Sequence, residues 1–161
     1  MTAVDKTIDL MYILQSLGLT LLFVGLIGYE RQKKHKIAGM TTHLMVAFGA
    51  AALAIVQEYM VLDAIAYLEV HPELVGSMVI QRQRIIAQII AGVGFLGTGA
   101  IIKTNGAITG LTTAATLWLS AIIGIIFGLG YIMLGVVLSI VSLLTLTVIK
   151  KAFRKAYEEQ R

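Results

Sequence analysis

The chain has 161 residues, 58% of them hydrophobic and 14% charged, and its mean hydropathy is +0.87. Soluble domains run at roughly 45–50% apolar and about 25% charged, so this composition excludes a soluble globular domain and makes lipid the solvent. Cysteine is absent, which excludes disulfides, thiolate metal sites and thiol nucleophiles. The net charge of +4 does not point to nucleic acid, because the basic residues sit at the ends of apolar runs.

The opening Met1-Thr2-Ala3-Val4-Asp5-Lys6 lacks the basic character of a cleavable signal, and the apolar run behind it is too long for one. That first segment is expected to stay in the protein. Apolar runs follow at about 8–28, 42–62, 85–102, 111–127 and 131–149, each of a length that crosses the hydrocarbon core. Between the first two lies Glu30-Arg31-Gln32-Lys33-Lys34-His35-Lys36. The stretch 63–84 is polar, and Lys103-Thr104-Asn105-Gly106 forms a short turn. Gly128-Leu129-Gly130 reads as a tight reversal between two spans, since one helix through it would be too long for a bilayer. The expected fold is all-α: one transmembrane domain over 1–161, a bundle of about five transmembrane helices with a short basic tail at 150–161.

With five spans, the 30–43 connection, the Lys103 turn and the tail share one side and carry ten basic residues against three on the other. The positive-inside rule then places the N-terminus outside and the C-terminus inside.

Small residues recur every fourth position in the fourth span, at Thr112, Thr116, Ser120, Gly124 and Gly128. This spacing builds a ridge for close helix contact, and Gly124-x-x-x-Gly128 is a minimal contact motif. The third span is rich in Gly and Ala (Ala87, Ala91, Gly92, Gly94, Gly97, Gly99, Ala100). That content fits either close packing or a locally unwound helix beside a cavity. Its Gly92-Val93-Gly94-Phe95-Leu96-Gly97 matches a dinucleotide-binding pattern by letter, but it lies inside an apolar span with no acid about 20 residues on.

The residues carry no catalytic constellation, and an enzyme is not expected. No cofactor is expected, and no metal-ligand set is identifiable: His35, His43 and His71 lack ligand spacing, and Glu58, Asp63, Glu69 and Glu73 read as a solvated outer loop. Glu58 lies about one turn inside the boundary, where an ionised acid is costly unless paired or hydrated; Arg82 and Arg84 are candidate partners. Glu30 at a helix C-terminus opposes the macrodipole, so nearby charges must offset it. With Arg31 and His43 it forms either an interfacial anchor or a polar cluster gating a cavity. The stretch 31–36 and the tail attract anionic lipid headgroups.

Three blocks resemble the MgtC/SapB family of bacterial membrane proteins. The first is Gly28-Tyr29-Glu30-Arg31 with Ala38-Gly39-Met40-Thr41-Thr42-His43. The second is Arg84-Ile85-Ile86-Ala87-Gln88 with the stretch 92–99. The third is Gly110-Leu111-Thr112-Thr113-Ala114-Ala115 with Trp118, Ala121, Gly124, Gly128 and Gly130. Thr41 stands where the family usually has Arg, and Gln81 where it often has Asp. The chain also stops about a dozen residues after its last span, whereas virulence-associated members continue into an ACT-like cytosolic domain. The resemblance implies a bacterial cytoplasmic (inner) membrane protein linked to growth at low magnesium and, in pathogens, to survival in host cells and inhibition of the F-type ATP synthase. It marks Glu30, Arg31, Gly39, His43, Arg84, Gln88, Gly94, Gly97, Asn105, Thr112 and Trp118 as functional candidates.

Two functions are compatible with these residues. One is a regulatory or interaction protein affecting magnesium or pH homeostasis, and the other an ion transporter or channel subunit. Expected partners are the lipid bilayer, other membrane complexes and a second copy of the chain; nucleic acid is not among them.

Overall fold

Five helices carry the chain in the computed structural model, which describes residues 8–77, 81, 83–104 and 106–149. They are α1 (Leu10–Lys33), α2 (Met40–Val70), α3 (Arg84–Gly99), α4 (Leu111–Gly128) and α5 (Ile132–Leu144), the last continuing as a π-helical turn over Thr145–Ile149. α1, α2 and α4 are long and apolar enough to cross a membrane, and α3 and α5 are shorter apolar helices. The protein is a polytopic all-α membrane protein. The tail at 150–161 and residues Lys6, Arg82 and Asn105 lie outside the described residues.

Local chemistry sets the helix ends. Asp9 caps α1 by accepting the Tyr12 N–H at 2.8 Å, which satisfies one of the free amides of the first turn. At the other end His35 adopts a left-handed φ of 50°. There His35 N–H donates to Gln32 O and Lys36 N–H to Arg31 O, the paired bonds of a Schellman stop. α4 ends in the same way at Gly130: its N–H donates to Phe127 O, and Tyr131 N–H donates to Ile126 O. Gly128-Leu129-Gly130 is therefore a helix stop and reversal between two helices.

Three boundaries differ from the sequence expectation. α2 runs on to Val70 instead of ending near Leu62, because nothing breaks it before Pro72 and its charged residues Asp63 and Glu69 are exposed. Its 31 residues reach about 46 Å, well past the ~30 Å hydrocarbon core. α3 ends at Gly99 rather than near 102. The stretch around Lys103 is a strand of a small antiparallel hairpin, pairing Ile102 with Thr109, Lys103 with Ile108 and Thr104 with Ala107. α5 tightens only to Leu144 before widening into its π turn.

α4 is the axis of the bundle and packs against each of the other four helices. On one side Ile123 and Phe127 join Val24, Ile27, Leu44, Ala47 and Leu146, with the Phe127 ring stacked on Phe23 at 5.8 Å. On the other, Ala121 and Ile125 join Ala50, Ala54, Ile89 and Val93. α2 and α4 meet backbone to backbone. A methyl group added at Gly124 would overlap the Ala47 carbonyl, and one at Gly128 would lie 2.6 Å from the Ala51 carbonyl oxygen. Small residues are the way helices approach closely in a bilayer, where apolar burial alone gives little preference between lipid and protein.

Four interior hydroxyls are satisfied within their own helices. Thr20 donates to Ser16 O, Ser120 to Thr116 O, Ser139 to Gly135 O and Ser142 to Leu138 O, all at 2.6–2.8 Å. This removes the cost of burying an unpaired hydroxyl in hydrocarbon.

Candidate functional site

The last turn of α1, the first turn of α2 and the start of α4 converge on a buried polar cluster. Gly28 makes this possible, because a methyl group there would sit 2.6 Å from Met40 Cα. Gln32 Oε1 accepts the Met40 N–H at 3.2 Å, so α1 itself caps α2, whose N-cap residue Gly39 offers no side chain for the purpose.

Arg31 is only 1% exposed and Glu30 9%. Arg31 Nη2 donates to Thr113 Oγ1 at 3.2 Å, and Arg31 Nη1 lies 3.8 Å from Glu30 Oε2, an ion pair beyond hydrogen-bonding reach. Glu30 also pairs with Lys34 one turn on, the favourable order of an acid four residues before a base. Lys34 Nζ in turn donates to Leu146 O at 3.3 Å and so ties the cluster to the end of α5. Glu30 Oε2, Arg31 Nε and Arg31 Nη1 have no hydrogen-bond partner among the described residues.

His43 is fully buried. Its Nδ1 lies 2.7 Å from Gly39 O and its Nε2 3.0 Å from Thr116 Oγ1. A carbonyl only accepts, so Nδ1 carries a proton. Thr116 Oγ1 also lies 3.0 Å from Thr113 O, and its one hydroxyl proton cannot serve both Nε2 and that carbonyl. With neutral His43 the hydroxyl turns to the ring. The three bonds coexist only when Nε2 is protonated as well. Nitrogen-15 spectra of histidine-labelled protein at neutral pH should therefore show His43 with a protonated Nδ1, and an Nε2-only tautomer would contradict the assignment. Thr116→Val removes the hydroxyl and is expected to cost about 1–3 kcal/mol of stability through the unpaired ring nitrogen.

The cluster unites Glu30, Arg31, Gly39 and His43. Thr112, favoured by strict four-residue spacing, is exposed, and its neighbour Thr113 takes the inward place. Thr113, Thr116, Ser120 and Gly124 share one buried face at the three-and-four spacing of a 3.6-residue helix, a signal a fixed period of four misses. Arg84 and Gln88 are away from the cluster. They are exposed on α3 and line a groove of 350 Å³ with Leu53, Ile85 and Ile89. Gly94 has no neighbour within 4 Å of an added methyl, whereas Gly97 would touch Ala114 at 3.6 Å. The helical state of 92–97 also disposes of the dinucleotide pattern. Trp118 is exposed on α4, Gly124 and Gly128 sit in the α2 contact, and Asn105 lies outside the described residues.

Glu58 is buried on α2 beside Gln57, whose Oε1 accepts the Ile86 N–H at 3.1 Å and so occupies a free amide at the start of α3. Near this end of the bundle the Tyr12 hydroxyl donates to Gly128 O at 2.7 Å.

Fold and site together define a helical membrane protein whose first, second and fourth helices are joined at one end by buried charged and polar side chains. The MgtC family pattern matches residues 17–155, and the chain belongs to that family. It is 41% identical over 124 residues to the Escherichia coli (strain K12) protein named "Putative magnesium transporter YhiD", covering 77% of this chain and 54% of that one. It is 40% identical over 108 residues to the MgtC protein of Brucella abortus (strain 2308), covering 67% and 39%. It is also 40% identical over 119 residues to MgtC of Salmonella typhimurium (strain LT2), covering 74% and 44%. The chain spans about half the length, or less, of these curated relatives. No solved structure matches it.

Proposed function

We propose that this chain is a non-enzymatic regulatory protein of the bacterial cytoplasmic membrane, linked to magnesium or pH homeostasis and acting through another membrane complex rather than moving an ion itself. The observation that carries this reading is the placement of Arg31. A divalent cation in the cluster would need the Glu30 carboxylate, and the buried guanidinium already stands beside it, with Lys34 on the other oxygen. Two fixed positive charges make that acid a poor ligand for a metal and a good anchor for a rigid, switchable contact. The backbone-to-backbone closure of α2 on α4 supports the same reading, because it leaves no lumen between them.

Purified protein in liposomes is expected to show no magnesium or proton flux above empty vesicles, while Glu30→Gln abolishes its effect on growth at low magnesium. A second reading, a cation transporter or channel subunit, is favoured by the name that YhiD carries and by the open glycines of α3. Flux that needs the protein and changes with Gly94→Ala or Gly97→Ala would establish it and overturn the first.

The excess of Lys and Arg on the side of Glu30 supports an N-terminus outside and a C-terminus inside. A cysteine at Glu69 should be labelled from outside by an impermeant reagent and one at Lys34 should not; the opposite pattern would reverse the orientation.

A further inference from the structure

At the edge of the bundle, α3 carries one face unlike the rest of its surface. Ile89 and Val93 point inward into the contact with α2 and α4, and Ile90 and Leu96 are exposed on either side of that contact. The outward face of α3 presents Arg84, Gln88, Ala91, Gly92, Phe95 and Gly99, all exposed. α5 supplies the contrast: its exposed face is Met133, Leu134, Val137, Ile140, Val141 and Leu144, the side chains hydrocarbon accepts. Against lipid, the amide of Gln88 would have neither donor nor acceptor to meet. Methyl groups added at Gly92 or Gly99 would touch nothing within 4 Å, while Phe95 between them stands 79% exposed. Residues 88, 92, 95 and 99 follow the four-three-four spacing of a helix–helix seam.

We infer that this seam is the contact between two copies of the chain, related by a two-fold axis along the membrane normal. An isologous contact must complement itself, and this one does. A glutamine amide donates and accepts, so Gln88 pairs with its own symmetry mate. The single bulky residue, Phe95, has a glycine about one turn away on either side to receive its counterpart. Charge supports the same occupant. Arg84 opens α3 near the end of the bundle where the exposed extension of α2 and the turn after it carry Asp63, Glu69 and Glu73. Across the two-fold, the basic end of each α3 meets the acidic extension of the other copy, which offsets the proximity of the two Arg84 side chains.

The chain lacks cysteine, so single substitutions report without background. In native membranes under mild oxidation, Gly92→Cys and Gly99→Cys are expected to convert most of the protein to a disulfide-linked species of twice the 17.4 kDa monomer mass. Met133→Cys and Leu134→Cys on α5 should give only traces. Adding Gly92→Ile to Gly99→Cys should suppress the dimer while leaving the thermal midpoint of the monomer unchanged, since that site is open within one copy. Monomer at both α3 positions would overturn the inference, as would adducts to a different protein or dimers formed equally well through α5.

Discussion

Gly124→Leu is expected to prevent stable assembly of the bundle, whereas Leu134→Ala should lower the thermal midpoint in detergent only slightly. Gly124 has no room for even one carbon beyond Cα without displacing the Ala47 carbonyl. That carbonyl belongs to the backbone of α2 and cannot swing aside as a side chain would. A leucine must push α2 and α4 apart, and because α4 stands between the two apolar clusters, both lose their packing at once. Overpacking of a tight core typically costs about 1–3 kcal/mol; here about 3 kcal/mol or more is expected, because the obstacle is main chain. Leu134 is 56% exposed on α5 and faces lipid, so its truncation exchanges one apolar contact for another. Equal, mild effects for the two would show that the α2–α4 contact is looser than described.

Arg31→Ala should be the most damaging change in the polar cluster, at about 3 kcal/mol, the lower end of the range for breaking a buried pair because Lys34 still holds Glu30. The loss has two parts: Thr113 Oγ1 loses its donor, and Glu30 keeps a buried charge with one counterion fewer. Arg31→Lys should not restore it, since an ammonium offers no planar fork to span Thr113 and Glu30 together. Replacing both members, as Glu30→Gln with Arg31→Met, is expected to recover much of the stability, because a neutral pair carries no charge-burial cost. Thermal unfolding of the four variants side by side checks this, and a double variant no better than Arg31→Ala would show that Glu30 is not what the guanidinium compensates.

Much of this was legible in the residues. Five apolar runs gave five helices, and a methyl-free ridge at Gly124 and Gly128 marked the close contact. Glu30 and Arg31, adjacent at the end of one helix, and His43, at the start of the next, were recognisable as a group from their positions. Other features were out of reach of a one-dimensional pattern. The extension of α2 past Leu62 depended on the absence of a breaker before Pro72, and charge alone suggested a loop. The hairpin over 102–109 is too short to show an alternation. Thr112 and Thr113 differ in sequence by nothing, and only the rotation of α4 against α1 selects the second. The small-residue face of α3 was hidden because its inward and outward residues are interleaved, and hydropathy averaged over the span conceals which side each occupies.

The bond between Arg31 and Thr113 also sets an order of events during synthesis. Its partners are 82 residues apart, which at ~5–20 residues per second separates their emergence by roughly 4–16 s. For that interval α1 holds a guanidinium and a carboxylate near the membrane boundary without the hydroxyl that later fixes them, and Lys34 without the α5 carbonyl it will bind. Nascent chains stopped before residue 111 therefore carry their polar residues in a provisional arrangement, with water and headgroups as stand-ins. Leu146, which joins the first apolar cluster from the end of α5, arrives later still, so the core is complete only once the fifth helix has been made.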